Sequence, residues 1–145
     1  MAASDVVWEI YAALLSMADC ATALGRLGLC MSLLFAAASV DGGRGEAFNR
    51  LGVHFYERRE WKRTIPLFAA AIAAERPFEG FITDAVYDWF PPDYLVVCLS
   101  NLGRFEETLE RTVRALPGPP DGKRILDNLV LYAHSIEQQR RLTQA

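Results

Sequence analysis

Two aspartates in the middle of the chain have a spacing that acid–base chemistry can use. Asp84 and Asp88 are four residues apart, so on a helix both carboxylates would lie on one face. Paired carboxylates act as acid and base when the pKa of one is pushed above that of the other. No nucleophile or base accompanies them, so a solvated face is favoured over an acid–base pair.

The other residue types that catalyse reactions or bind metals are scattered. His54 and His134 are 80 residues apart, without the nearby acids or the i, i+4 spacing of metal sites. No serine lies in a Gly-x-Ser-x-Gly context, and the glycines at 42, 43 and 45 neither follow a strand nor precede Lys-Ser/Thr. We therefore expect no catalytic residue, no metal site and no cofactor, and predict that the chain is not an enzyme.

The composition and the net charge of the chain limit the classes of partner that it is expected to bind. The chain has 145 residues, 52% of them apolar, which predicts one domain over 1–145 with its own core. Its net charge of −3 argues against a protein that binds nucleic acid by neutralising phosphates. A protein or peptide is the expected partner, with a second copy of the chain as one form of it.

The cysteines and the apolar segments indicate a compartment. Cys20, Cys30 and Cys98 are odd in number and lack CxxC spacing, so we expect three buried thiols in a reducing environment. The most apolar stretch, residues 27–40, has 14 residues, fewer than the roughly 20 that span a bilayer. The N-terminus lacks the basic leader of a secretory signal. The sequence predicts a cytoplasmic protein without membrane contact.

Helical periodicity covers almost every long segment, and none shows sustained strand alternation. The pattern predicts an all-α fold with helices at about 5–24, 29–39, 46–57, 61–75, 93–102, 105–116 and 121–142. Ser4 and Asp121 are the expected N-caps of the first and last helices. Pro66 is expected to kink the fourth helix or to mark a late first turn. The inward face of the first helix is predicted to consist of Val7, Ile10, Tyr11, Leu14, Leu15 and Ala18.

An internal repeat underlies these helices. Leu27, Trp61 and Phe105 open the second helix of three pairs, at spacings of 34 and 44 residues. Counted from these three residues, small residues recur ten positions later (Ala37, Ala71 and Ala115) and three positions later (Cys30, Thr64 and Thr108). Apolar residues that are expected to face inward recur ten positions earlier (Met17, Leu51 and Leu95). The longer spacing contains a ten-residue insertion, within the aromatic segment 77–92.

A period of 34 built from helix pairs resembles the tetratricopeptide repeat (TPR). The middle copy carries the resemblance best, through Phe48, Leu51-Gly52, Phe55, Trp61, Phe68, Ala71 and Pro77. The resemblance implies pairs at about 5–40, 46–76 and 93–116, stacked as a short right-handed superhelix with a capping helix at 121–142. Gly52 and Ala71 are expected to let two helices cross closely. An unrelated helical bundle with coincidental spacing is the alternative.

The part of the chain from Leu51 to Asn128 is similar to a more particular module. It contains Glu79-Gly80-Phe81, Tyr87-Asp88-Trp89, Leu95-Val96-Val97-Cys98 and Leu102-Gly103-Arg104-Phe105. This pattern resembles the repeat region that follows the catalytic domain in some bacterial family 2 glycosyltransferases. The chain has no Asp-x-Asp motif and no predicted sheet. The resemblance therefore implies an accessory or detached scaffold that presents a polypeptide acceptor, and not sugar transfer.

Stacked repeats place the first helix of each pair on a concave side. Their residues that do not face the core, together with Trp89 of the insertion, are the predicted peptide-binding set, although simple exposure is the alternative for each. The set is Asn49, Arg50, Val53, Tyr56, Glu57, Trp89, Tyr94, Val97 and Asn101. The insertion itself is predicted to be a lid over the core or an exposed apolar patch. The first helix pair, the most apolar, is the expected site of self-association.

Overall fold

The computed structural model describes residues 3–78, 80, 82–88, 90–115 and 122–144, and for 3–5, 109, 112–115, 122–129 and 131–133 the backbone alone. The described residues form eight α-helices and no strand, which confirms the all-α fold class. The helices are α1 (Ala3–Ala23), α2 (Leu27–Val40), α3 (Glu46–Glu57), α4 (Trp61–Ala73), α5 (Asp84–Asp88), α6 (Phe90–Asn101), α7 (Phe105–Ala115) and α8 (Gly122–Gln144).

Helices that follow one another in the chain pack against one another. α1 packs on α2, α3 on α4, and α6 on α7, which corresponds to the three predicted pairs. Contacts of α2 with α3, of α4 with α6 and of α7 with α8 join the pairs in series, and α5 lies against α4 and α6. The right-handed superhelical arrangement of the pairs stays a prediction.

The same turn joins the two helices of each pair. Gly25, Arg59 and Gly103 have positive φ angles of 69°, 59° and 73°. The N–H of the residue that follows each of them donates to a carbonyl five residues back, at 2.9, 3.0 and 2.9 Å. This is the left-handed helix C-cap with its 6→1 hydrogen bond. Because the three turns recur at the predicted spacings of 34 and 44 residues, the repeat is present in the backbone and not only in the sequence.

Equivalent residues of the repeat are buried in the second and third pairs, but one of them is exposed in the first pair. Cys30, Thr64 and Thr108 are all buried, and so are Leu51 and Leu95. Met17, predicted to be their inward equivalent, is instead 53% exposed. The described helices do not cover the face of α1 that bears Met17.

The same cause corrects two further predictions for α1. Tyr11, Leu15 and Ala18 are buried as expected, but Val7 and Ile10 are 37% and 45% exposed. Cys20 is exposed as well, so the prediction of three buried thiols holds only for Cys30 and Cys98. Burial raises the pKa of the Cys98 thiol to about 12.

Two clusters of buried side chains make up the core. The first joins α1, α2 and α3 through Tyr11, Leu15, Ala18, Ala21, Cys30, Leu34, Ala37, Ala47 and Leu51. The second joins α4 to α6 through Phe68, Leu95, Cys98 and Leu99. At the crossing of α3 and α4, a Cβ on Gly52 would lie 2.7 Å from the Phe68 ring, so this close approach depends on glycine.

Most helix bounds lie within a few residues of the predicted ones. α6 begins at Phe90, so Pro91 and Pro92 belong to its first turn, where a missing N–H costs no hydrogen bond. Pro66 lies well inside α4, five residues after Trp61, which excludes a late first turn. The insertion contains the short helix α5. The expected turn at 117–120 and the N-cap Asp121 lie outside the described residues.

Within the described residues, one stretch, Val6–Ala23 of α1, is long and apolar enough to cross a membrane by length and composition, and 22% of it is buried.

Candidate functional site

A cleft opens where α1 and α2 meet α3. Its volume is about 270 Å³, and we call it the Met31 cleft. Its walls come from Ala18, Asp19 and Thr22 of α1, Leu27, Cys30, Met31 and Leu34 of α2, and Arg50, Val53, His54 and Glu57 of α3. Three predicted binding residues, Arg50, Val53 and Glu57, therefore share one cleft, because they follow one another on the same face of α3.

The Met31 cleft is apolar along α2 and polar along α1 and α3. Arg50 spans the cleft edge, with Nη1 lying 2.7 Å from Oδ1 of Asp19 and 3.3 Å from the backbone oxygen of Leu15. The two side chains of this ion pair are 35% and 68% exposed. A pair so exposed contributes about 0–1 kcal/mol to stability, so its main effect is to hold the Arg50 guanidinium at the cleft.

His54 adds a titratable group to this cleft. Its pKa is lowered from 6.5, first by partial burial and then by the positive charge of Arg58. Its ring lies edge-on to Phe55, with centroids 5.3 Å apart. The imidazole is consequently neutral near pH 7 and can donate one hydrogen bond and accept another.

A second cleft, also of about 270 Å³, lies between α1 and α3; we call it the Trp8 cleft. It is lined by Trp8, Tyr11, Ala12, Leu15, Ser16, Asp19, Arg44 and Arg50. Because Asp19 and Arg50 line both clefts, their ion pair forms the wall between them. Arg44 is only 6% exposed: its Nε lies 3.2 Å from Asp41, and its guanidinium lies 5.8 Å from the centre of the Tyr11 ring.

The insertion is attached to the end of the Trp8 cleft. Gly80, with a φ of 89°, approaches Trp8 so closely that a Cβ there would lie 2.7 Å from the indole. Tyr87 reaches the start of α3, where its hydroxyl bonds the carboxylate of Glu46. The chain between α4 and α6 thus touches both α1 and α3.

The predicted carboxylate pair of α5 is brought together around a cation. Arg76 bonds Asp84, and its Nη2 lies 2.6 Å from Oδ1 of Asp88. The two aspartates are 76% and 51% exposed. Both carboxylates are exposed and share one guanidinium, so their surroundings do not distinguish one as acid and the other as base.

The insertion's aromatic side chains differ in their exposure. Phe78 is fully exposed, whereas Phe90 stacks on Tyr94 with ring centroids 4.2 Å apart. Phe81 and Trp89 lie outside the described residues. Of the two described aromatic residues, one protrudes and the other is packed, so the choice between a lid and an exposed patch stays a prediction.

The other described members of the predicted binding set line neither of the two clefts. Asn49 is only 7% exposed, because α3 is covered by both α2 and α4. Tyr56 and Tyr94 form an aromatic cluster with centroids 4.7 Å apart, to which Trp61, Phe68 and Phe90 belong. Asn101 is exposed, and its Nδ2 donates to the backbone oxygen of Val97 at 2.9 Å. The predicted set is thus divided among a cleft, a buried position, the aromatic cluster and α6.

Sequence reasoning missed several residues of this region. Asp19, Arg44 and Glu46 were not among the predicted site residues. The contacts that bring them to the clefts and to α5 join residues 31 to 42 positions apart, as in Arg50–Asp19 and Gly45–Tyr87. No local spacing carries such a signal.

No protein-family model matches the chain, and no curated protein is significantly similar to it. Among the described residues, no group of three or more His, Cys, Asp or Glu side chains is arranged to hold a metal ion. The resemblances to TPR proteins and to glycosyltransferase tails therefore stay predictions from the sequence.

Proposed function

We propose that this chain is a non-catalytic protein-interaction scaffold, a short TPR-like stack that binds a segment of a partner protein in the Met31 cleft. The observation that carries the proposal is the cleft itself, where an apolar wall from one helix pair faces charged residues on the first helix of the next pair. Junctions between packed helices are a common place for binding sites.

The chemistry of the cleft indicates the kind of segment that it binds. Leu27, Met31 and Leu34 offer an apolar wall, and a volume of about 270 Å³ suits a single large apolar side chain. Around it, Arg50 offers donors and Asp19 and Glu57 offer acceptors for the main chain and the flanking charges. The expected ligand is a short peptide with one bulky apolar anchor between polar residues.

A comparison of two leucines tests the cleft. Leu27 lines it and is 41% exposed, whereas Leu29 is 39% exposed and does not line it. Both lie in the first turn of α2, where an aspartate is favoured by the helix dipole, so both substitutions have a similar cost to folding. Leu27→Asp is expected to weaken peptide binding by about tenfold or more, and Leu29→Asp by less than about twofold.

The probe is a peptide selected on the immobilised chain from a display library of random short peptides, and affinity is measured by calorimetry. If no peptide is selected, or if both variants bind it as well as the wild type, the proposed function is wrong. Far-UV circular dichroism of both variants controls for folding.

The accessory role beside a bacterial family 2 glycosyltransferase is the alternative that the sequence raises. Its test is sugar transfer to an acceptor polypeptide once an adjoining catalytic domain is supplied. No described contact favours it over a general interaction scaffold.

A further inference from the structure

The outer face of α1 carries a continuous apolar stripe with coiled-coil spacing. The stripe alternates steps of four and three residues and contains Val6, Ile10, Ala13, Met17, Cys20 and Leu24, all of them exposed. Leu24 extends it beyond α1, because the N–H of Leu24 still donates to the oxygen of Cys20 at 3.0 Å. We call this set the α1 seam. Apolar residues that repeat every 3.5 positions are the pattern by which helices pair.

The α1 seam is separate from the core and from both clefts. The core face of α1 bears Tyr11, Leu15 and Ala18, and the flank towards α3 bears Ser16 and Asp19. Residues of the seam lie on the remaining side. Val6, Ile10, Met17 and Leu24 are 42%, 45%, 53% and 73% exposed, which is a costly arrangement for a helix that has no partner.

Charge argues against a lipid surface as the partner of the α1 seam. Residues 1–25 contain no lysine or arginine, while Asp5, Glu9 and Asp19 are acidic. Helices that lie on membranes have basic polar faces, which anionic lipids attract. The acidic flank of α1 would be repelled instead.

Charge complementarity favours a second copy of the chain, with its α1 antiparallel to the first, as the partner of the α1 seam. Glu9 lies near the start of α1, and Arg26 follows its end; both are exposed. In an antiparallel pair, Glu9 of each copy lies towards the end that carries Arg26 of the other, whereas a parallel pair places both Glu9 side chains at one end of the seam and both Arg26 side chains at the other.

We propose that two copies of this chain associate through antiparallel packing of their α1 seams. Val6 then faces Leu24 of the second copy, Ile10 faces Cys20, and Ala13 faces Met17. The pairing deepens the scaffold function proposed above by naming one partner, but it uses a different face from the Met31 cleft.

A concentration series in light scattering and sedimentation equilibrium tests the pairing. The wild type is expected to pass from monomer to dimer, and Met17→Glu to shift the midpoint to at least about tenfold higher concentration. Val130→Glu on α8 is the matched control, since Val130 is also exposed (59%), and it is expected to leave the midpoint unchanged. A wild type that stays monomeric at all concentrations, or a Met17→Glu variant that dimerises normally, overturns the proposal.

Disulfide trapping tests the orientation. Ile10→Cys adds a thiol opposite Cys20 of the second copy, so mild oxidation should yield a covalent dimer. The wild type should yield little, because Cys20 faces Ile10 and not its own equivalent. Rapid trapping of the wild type through Cys20 would mean parallel seams and would overturn the antiparallel pairing.

Two further measurements distinguish pairing through the α1 seam from lipid binding by the seam and from peptide binding in the Met31 cleft. Flotation with phosphatidylcholine and phosphatidylserine vesicles should leave the chain unbound; binding that competes with dimerisation would assign the α1 seam to lipid. Peptide affinity of the Met17→Glu variant should equal that of the wild type. A chain that dimerises but binds no peptide would overturn only the proposed peptide site in the Met31 cleft. A chain that binds peptide but does not dimerise would overturn only the proposed pairing of the α1 seams.

Discussion

The hydroxyl of Tyr87 donates a 2.6 Å hydrogen bond to Oε2 of Glu46, which lies 41 residues earlier in the chain. The same hydroxyl accepts the N–H of Gly45 at 3.1 Å, and the Tyr11 hydroxyl accepts the N–H of Ala47 at 2.8 Å. Gly45, the N-cap of α3, has no side chain with which to cap the helix. Two tyrosines from α1 and α5 satisfy these N–H groups instead, and so join three helices at one point.

Tyr87→Phe should destabilise the fold by about 1–3 kcal/mol, because it leaves a buried carboxylate oxygen without its donor. Glu46 is 2% exposed, and its Oε1 already has no hydrogen-bond partner among the described residues. The measurement is unfolding in urea, monitored by circular dichroism. Tyr94→Phe, which removes a hydroxyl from a ring held by stacking on Phe90, is the control and should cost less than about 0.5 kcal/mol. Equal losses in the two variants would contradict the role of the Tyr87 hydroxyl.

The same tyrosines predict a loss of stability in alkali. Burial, as the largest cause, raises the pKa of both Tyr11 and Tyr87 above the usual 10.0. Below pH 10 both phenols are neutral whether or not the chain is folded, so they add no pH dependence there. Above pH 10 the unfolded chain loses these protons first, and the free energy of unfolding falls as pH rises. Unfolding in urea between pH 8 and 12 measures this dependence. Tyr87→Phe should reduce the slope of the free energy of unfolding against pH, and an unchanged slope would contradict a contribution from Tyr87.

The sequence was sufficient for seven of the eight described helices and for their repeat, because both depend on local patterns, whereas the short helix α5 was not predicted. Glu46–Glu57 was predicted with its observed bounds, and the turns at Gly25, Arg59 and Gly103 follow the spacings read from Leu27, Trp61 and Phe105. The clefts were only partly predictable. Arg50 and Glu57 could be placed on α3 by periodicity, but the position of Asp19 opposite Arg50 depends on how two pairs pack.

Exposure at the start of the stack could not be predicted for a related reason. Val7, Ile10 and Met17 have the apolar character of core residues, and periodicity alone cannot show that the described helices leave one side of α1 uncovered. Likewise, the side chain of Asn49 has the polarity of a groove residue, yet the packing of α2 and α4 around α3 buries it.

Gly52→Ala should cost about 1–3 kcal/mol, because the new methyl group would overlap the Phe68 ring at the crossing of α3 and α4. Gly28→Ala is the matched control: it also lies in a helix, but nothing lies within 4 Å of its Cβ position. There the gain in helix propensity should stabilise the fold by about 0.5–1 kcal/mol. Urea unfolding compares the two. If Phe68→Leu relieves the cost of Gly52→Ala in the double variant, the cause is the close crossing; strict additivity would refute it.

Arg59→Gly should stabilise the fold by about 0.5–1 kcal/mol, because Arg59 alone among the three equivalent turn residues has a side chain that disfavours positive φ. Gly103→Ala should do the reverse and cost about 1 kcal/mol. Nothing lies within 4 Å of a Cβ at Gly103, so only the backbone conformation can cause that loss. Gly25→Ala, at the first equivalent turn, has the same open surroundings and should match Gly103→Ala. Thermal unfolding of the three variants checks this. If the signs at Arg59 and Gly103 were the same, the three turns would not share one conformation, and the repeat would be weaker than the backbone indicates.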